Sequence, residues 1–176
     1  MEIWDLYNDR RELTGLRHIR GERIPQGYYH LVVHVWLRSS CGKYLISQRS
    51  ADRTSFPLMW ECTGGSVLKG EDSLSGAVRE VWEELGIRLP EESGQLLFSK
   101  VRDTIRGERF GDILDVWLFT YDGNPCLEAA PTKEVAQAVW MDPSEVQKLY
   151  ESGKFVSTLD YFFHTDELGT HETAAF

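Results

Sequence analysis

Alternating apolar and polar positions divide the chain into short extended stretches separated by turn-forming residues, with one long helical pattern near the middle. His30 to Leu37 is rich in valine and predicts a strand. Ser39 to Gly42 predicts a turn, Lys43 to Gln48 a second strand, and Ala51 to Pro57 a polar loop. Trp60 to Val67 then runs extended toward the helix, expected over about residues 72–85. Leu96 to Ile105 and Ile113 to Tyr121 are two further strand candidates. Arg106 to Asp112, which contains two glycines, is the expected hairpin loop between them. Ala138 to Met141 is a short strand, and Asp142-Pro143 caps and opens a helix that runs to about Ser152. Residues 1–27 form an N-terminal extension or hairpin that turns at Asn8-Asp9 and ends at Pro25-Gln26-Gly27. The last twenty or so residues predict a short helix and, over about 165–176, a frayed tail.

Within the central helix, Leu74, Ala77, Val78, Val81 and Leu85 recur at helical spacing and form one apolar stripe. Beside it, Glu80, Glu83 and Glu84 fall within an arc of roughly 100°. Glu80 and Glu84 repel across one turn. Glu83 and Glu84 also occupy the last turn before Gly86, the expected C′ residue, where the helix dipole opposes them at about 0.3–1 kcal/mol each. Glu71, Asp72 and Ser73 suit the opposite end of the helix. A solvated acidic face, with Arg79 and Glu83 as a surface pair, is the plain explanation of such a run. A bound dication would instead reverse the sign of all these repulsions. The adjacent Gly64 and Gly65 would let backbone approach a metal or a phosphate closely.

The surrounding residues decide between the two. Gly65, Glu71, Arg79, Glu80, Val81, Glu83, Glu84, Gly86 and Ile87 satisfy the pattern G-x5-E-x7-R-E-U-x-E-E-x-G-U, with U aliphatic, at every specified position. From average residue usage, such a match arises by chance on the order of once in 10⁷ chains of this length. The segment resembles the Nudix box. The resemblance implies a Nudix fold, α/β (α+β) in class, with a mixed β-sheet sandwiched between helices (α/β/α). It also implies hydrolysis of a diphosphate linkage in a nucleoside diphosphate derivative or related small molecule, by attack of water on phosphorus. By the same resemblance Glu80, Glu83, Glu84 and the carbonyl of Gly64 would hold Mg²⁺, with Mn²⁺ able to substitute. One of these glutamates, with Glu80 and Glu83 the catalytic candidates, or a carboxylate elsewhere would act as general base, Arg79 would orient the glutamates as a further catalytic residue, and Glu71 would act as a structural residue behind them. The chemistry is consistent: Mg²⁺ takes oxygen ligands while bridging carboxylates to phosphates, and it acidifies bound water.

The whole-chain numbers narrow the class. With 176 residues the chain is long enough for a single domain with its own core, expected over 1–176. A net charge of −9 argues against bulk nucleic-acid binding. Three unpatterned cysteines, Cys41, Cys62 and Cys126, suggest reduced thiols. The opening MEIWDLYNDR shows no signal pattern, and stretches such as LVVHVWL are too short to span a bilayer, so a cytoplasmic protein without membrane partners is expected. Many Nudix relatives dimerise, so a homodimer is an open expectation.

Outside the box, DLYNDRRELTG, YHLVVHVWL and QRSADRTSFPLMW look similar to the branch that includes isopentenyl-diphosphate isomerases. That raises a second chemistry, protonation of a carbon–carbon double bond, which needs a cysteine acid and a histidine-rich metal site. The expected cysteine position falls at or beside Gly64 instead of Cys62, and Arg23 stands where a histidine would be, although His30 matches one. The intact box favours hydrolysis. A third possibility is a metabolite-sensing module without turnover. Substrate contacts are expected from Arg49, which closes a strand beside the site, and from Asp115, where some relatives carry an extra acid. Arg53, Arg102, Arg106 and Arg109 are further phosphate candidates. Trp36, Trp60, Phe110 and Trp117 are candidates for base stacking, with core packing the plainer role for each.

Overall fold

A computed structural model describes residues 2–105 and 108–168. Two strands, β1 (Ile3–Tyr7) and β2 (Leu13–Ile19), make an antiparallel hairpin of their own. Asn8 closes the turn between them, its Oδ1 accepting from the amides of Arg10 and Glu12. Then follow β3 (His30–Arg38), β4 (Tyr44–Arg49), β5 (Trp60–Glu61), β6 (Thr63–Ser66) and helix α1 (Ser73–Leu85). The chain continues through β7 (Gly94–Ile105), β8 (Glu108–Thr120), β9 (Val135–Met141) and helix α2 (Pro143–Glu151). Two short 3₁₀ turns, Ser157–Phe163 and Asp166–Leu168, complete the described chain.

The strands other than the hairpin form one mixed sheet in the order β5-β4-β3-β8-β7, with β6 paired to β3 and β9 to β4. β3 and β8 run parallel, and every other pairing is antiparallel. The period-2 pattern of β3 sorts its side chains into two layers. Leu31, Val33, Val35 and Leu37 join Ala77, Val81 and Leu85 of α1 in one core. Val32 and Trp36 join Val146 of α2 and Phe155, Leu159 and Phe162 of the C-terminal segment in the other. The result is the expected sheet between helices. Among the described residues no helix is long and apolar enough to cross a membrane.

Local chemistry explains the helix ends. Asp72 caps α1, accepting from the amide of Ser75 at 2.8 Å, and Gly86 ends it at φ 66° in the left-handed region. A Cβ there would stand 2.1 Å from the Cys126 carbonyl, so the close approach requires glycine as much as the backbone angle does. Asp142 and Glu145 form a capping box on α2, with Pro143 at its first position.

Two expectations are corrected. The hairpin loop assigned to Arg106–Asp112 is mostly strand: β8 starts at Glu108, and the register shifts between Arg102 and Thr104 opposite Gly111, which has φ 66°. The glycine marks a bulge and not a turn. Arg106 and Gly107 lie outside the described residues. The tail expected from about 165 packs as far as Leu168, which is buried and whose carbonyl accepts from Tyr44 Oη at 2.7 Å; residues 169–176 lie outside the described residues.

Candidate active site

β6 delivers Gly64 and Gly65 beside the second half of α1, and the two line a cleft of about 210 Å³ with Ser66, Leu68, Arg79, Glu80, Glu83 and Glu84. Both glycines are in close approach to a neighbour. A Cβ on Gly64 would lie 2.3 Å from the Val33 carbonyl of the neighbouring strand, and one on Gly65 would lie 2.4 Å from Glu80 Oε1. The backbone of β6 is therefore pressed onto a carboxylate with no side chain between.

The three glutamates predicted to share a face do converge, at graded depth. Glu84 is buried, Glu80 has a side chain 12 % exposed, and Glu83 stands nearer the rim. Arg79 organises them. Its Nε donates to both carboxylate oxygens of Glu71, its Nη1 to Glu80 and Glu83 at 2.9 Å each, and its Nη2 to the Ser66 carbonyl. Burial works against its charge, but the bonds to Glu71 and Glu80 outweigh it and hold the guanidinium firmly protonated. Glu71 also accepts from the Leu68 amide, so it ties the loop before α1 to Arg79.

Electrostatics sets the deeper carboxylates apart. Burial first, and then the charges of Glu83 and Glu134, push Glu80 up to about 7 against the pull of Arg79. Glu84 is driven well above the ordinary range by burial and then by Glu80, Glu61 and Glu134; its bond from the Gly64 amide is long, at 3.4 Å. Glu61 and Glu134 were not singled out from the sequence. Glu61 sits on β5 directly before Cys62, its pKa raised by burial and countered by Arg49. Glu134 precedes β9 on a segment anchored to α1, where Thr132 donates from its amide and its hydroxyl to the Glu83 carbonyl. An acidic residue inside an otherwise apolar strand was the available signal for Glu61. Glu134 carries no local signal, because only the fold brings it to α1.

The donor set suits a hard dication: carboxylate oxygens crowded in a partly dry cleft, where burial and neighbouring carboxylates raise the pKa of Glu80 and Glu84, with backbone exposed at Gly64 and Gly65. Among the described residues no three His, Cys, Asp or Glu side chains are gathered as a finished coordination shell. Arg79 Nη1 instead bridges Glu80 and Glu83.

Of the remaining candidates, Arg53 also lines the cleft, and those that follow lie outside its lining. Arg49 Nη1 pairs with Glu61 and its Nε donates to the Ser55 carbonyl, so it supports the acidic cluster from behind. Asp115 is buried under the N-terminal hairpin, gripped by both terminal nitrogens of Arg11, and is not among the residues that line the cleft. Burial opposes its charge, yet hydrogen bonds from Arg11, Ser73 and Ser99 hold its pKa below the usual value. Arg102 is buried against Asp112, with Nε at 2.6 Å. Trp36 and His34 meet at the Tyr161 hydroxyl in the core on the α2 side, where burial drives His34 down to about 3 and keeps it neutral. His30 stacks on Trp4 at 4.1 Å. Cys62 is buried in the same core as Trp36, and burial, followed by Glu61 and Glu84, pushes its thiol well up.

A family model for the NUDIX domain matches residues 28–161. An uncharacterised Nudix hydrolase of Listeria monocytogenes is 40 % identical over 164 residues, spanning 93 % of this chain and 91 % of the relative. An isopentenyl-diphosphate Delta-isomerase of Nocardia farcinica is 31 % identical over 122 residues, covering 69 % of this chain and 68 % of the isomerase. Among solved structures, DR0079 from Deinococcus radiodurans superposes with a TM-score of 0.73 at 23 % identity, over 93 % of this chain and 99 % of that one.

Proposed function

Because this chain belongs to the Nudix family of hydrolases, we propose that it cleaves a diphosphate linkage in a nucleoside diphosphate derivative or a related small molecule, water attacking phosphorus. The observation that carries the reading is the crowding of Glu80 and Glu84 against Glu61 and Glu134, beside a glycine backbone that leaves no room for a side chain. Without a cation this cluster is a net cost to the fold.

In this reading Glu80, Glu83, Glu84 and Gly64 would hold Mg²⁺, with Mn²⁺ able to substitute. When bound, the ion supplies a more acidic water and offsets charge on the phosphoryl oxygens. The chain's own residues do the rest. Arg79 fixes Glu80 and Glu83 in one orientation, and its positive charge favours the ionised form of Glu80. Glu80, poised near neutral pH, has the basicity to accept a proton from the attacking water. Glu83 stands nearer the rim, on the solvent side of Glu80. Glu71 and the Ser66 carbonyl keep Arg79 from swinging away. The products are two phosphate-bearing fragments, or a nucleoside monophosphate with phosphate or diphosphate. The substrate is a small molecule met in the cytoplasm.

The likeness to an isomerase raises the alternative of double-bond protonation. Cys62 lies in the α2-side core with its thiol held protonated, and His30 is occupied with Trp4 on the hairpin side. Water attack on phosphorus is therefore the reading retained. The test is product release across a panel of nucleoside diphosphate derivatives with Mg²⁺. Turnover should vanish in EDTA and return with Mg²⁺ or Mn²⁺. Glu83→Gln and Glu84→Gln should lose it with the fold intact. Full activity in both variants, or in chelated enzyme, contradicts the assignment, and tight binding without turnover points to a sensing module.

A further inference from the structure

We infer that Arg20, carried to the cleft by the N-terminal hairpin, binds a phosphate group of the substrate. This rests on the hydrolase reading above and adds to it a contact from outside the matched domain. The described lining of the cleft carries three cations, Arg20, Arg53 and Arg79. Arg79 is committed to Glu71, Glu80, Glu83 and the Ser66 carbonyl. Arg53 is ion-paired with Glu134, one of the carboxylates whose charge raises Glu80 and Glu84. Taking Arg53 away would leave that charge unbalanced beside the cluster. Arg20 differs: its partner, Glu2 at 2.5 Å, stands at the cleft rim, and the two side chains are 52 % and 39 % exposed. A pair so open to water is weakly held. Arg20 is thus the lining cation that changes partners at least cost, and a phosphate, with more charge than a carboxylate, is a stronger partner for a guanidinium fork.

The hairpin is built to hold Arg20 there. Arg11 reaches from the hairpin turn to buried Asp115 with both terminal nitrogens. It does so from a left-handed backbone, φ 62°, which a non-glycine residue adopts only when its surroundings enforce it. Trp4 stacks on His30, the Lys69 amide donates to the Ile3 carbonyl at 2.8 Å, and the Gly70 amide donates to Asp5. The last two bonds fix the hairpin to the loop that enters α1. Arg20 itself is tied back by its amide to the Glu2 carbonyl at 3.1 Å. The domain match begins at residue 28, so this wall of the cleft is an addition to the domain. The other walls are dominated by carboxylates, and an anionic substrate needs a cation on this side.

Binding of methylenediphosphonate, which cannot be hydrolysed, tests this by calorimetry at saturating Mg²⁺, with melting temperature as the folding control. Arg20→Ala should weaken binding about tenfold or more, and Arg20→Lys should recover part of it. Glu2→Gln removes the competitor for Arg20 and should tighten binding two- to fivefold. Arg17→Ala, on the same hairpin but not in the cleft lining, should bind like wild type. A purely structural ion pair would make Arg20→Ala and Glu2→Gln shift together; the inference requires opposite signs. Equal shifts, unchanged binding in Arg20→Ala, or no binding by wild type would overturn it. The outcome is separable from the hydrolase reading, which stands or falls on wild-type turnover.

Discussion

Replacing Glu80 with glutamine should make the metal-free protein more stable, and increasingly so as pH rises. Glu80 titrates near 7 in the fold against 4.5 as an ordinary glutamate, chiefly because burial penalises its charged form. Between those two values the folded protein holds a proton that the unfolded chain has released, so stability falls with rising pH. The sign is the reverse of that for a salt-bridged carboxylate with a lowered pKa. The favourable contribution is complete below about 4.5 and is lost as pH climbs through 7. A shift of this size corresponds to about 3 kcal/mol. Glutamine keeps the shape of the protonated acid and does not titrate. Urea unfolding of wild type and Glu80→Gln in EDTA, from pH 5 to pH 8, isolates the effect, because most other titrations cancel in the difference. The variant's relative stability should grow across that range by an amount approaching about 3 kcal/mol. Part of a kcal/mol is offset at every pH by the weakened bond to Arg79. Saturating Mg²⁺ should recover the deficit for wild type and much less of it for the variant. A difference independent of pH, or one that shrinks as pH rises, would refute the picture of Glu80 as a buried, ion-demanding carboxylate.

Two further perturbations separate the cleft from its scaffold. Gly65→Ala places a Cβ against Glu80 Oε1, the movable end of a side chain, so its melting temperature should change little while turnover falls on the order of 10²-fold. Gly64→Ala meets the Val33 carbonyl within the sheet and should cost about 1–3 kcal/mol in stability; the same pair of assays, with the two variants behaving alike, would count against this division. Arg102→Ala strands buried Asp112, since the two side chains are 8 % and 3 % exposed. It should lose about 3–5 kcal/mol in denaturant unfolding, while Arg102→Met with Asp112→Leu loses far less. A single-variant loss below about 1 kcal/mol would show that the pair is not what holds that end of β7 to β8.

Much of the molecule was legible because its signals are local. The valine run of β3, the apolar stripe of α1 and the caps at Asp72, Gly86 and Asp142 all depend on neighbours within a few residues. What was misread involved distant partners. Gly111 resembles part of a turn until β7 is seen to continue opposite it through a bulge. Leu168 resembles part of a frayed tail until Tyr44 is found beneath it. In the site, Arg79, Glu80, Glu83 and Glu84 share one helix, and their convergence follows from its period. Asp115 is answered by Arg11, 104 positions away, and no local pattern announces that the hairpin would cover it. Glu61 and Glu134 reach the cluster only through strand pairing and a loop anchored on α1.

That anchoring has a consequence for how the fold can vary. The last carbonyls of α1 are answered from the segment before β9: Cys126 donates to Leu85, and Thr132 donates twice to Glu83. Glu134 follows two positions after Thr132, so its place is measured from the helix end across space and not along the intervening chain. The long excursion through β7 and β8 could lengthen or shorten at its tip without displacing the acid. The spacing rule that governs the box glutamates is written in the sequence. The rule that governs Glu134 is written in three hydrogen bonds.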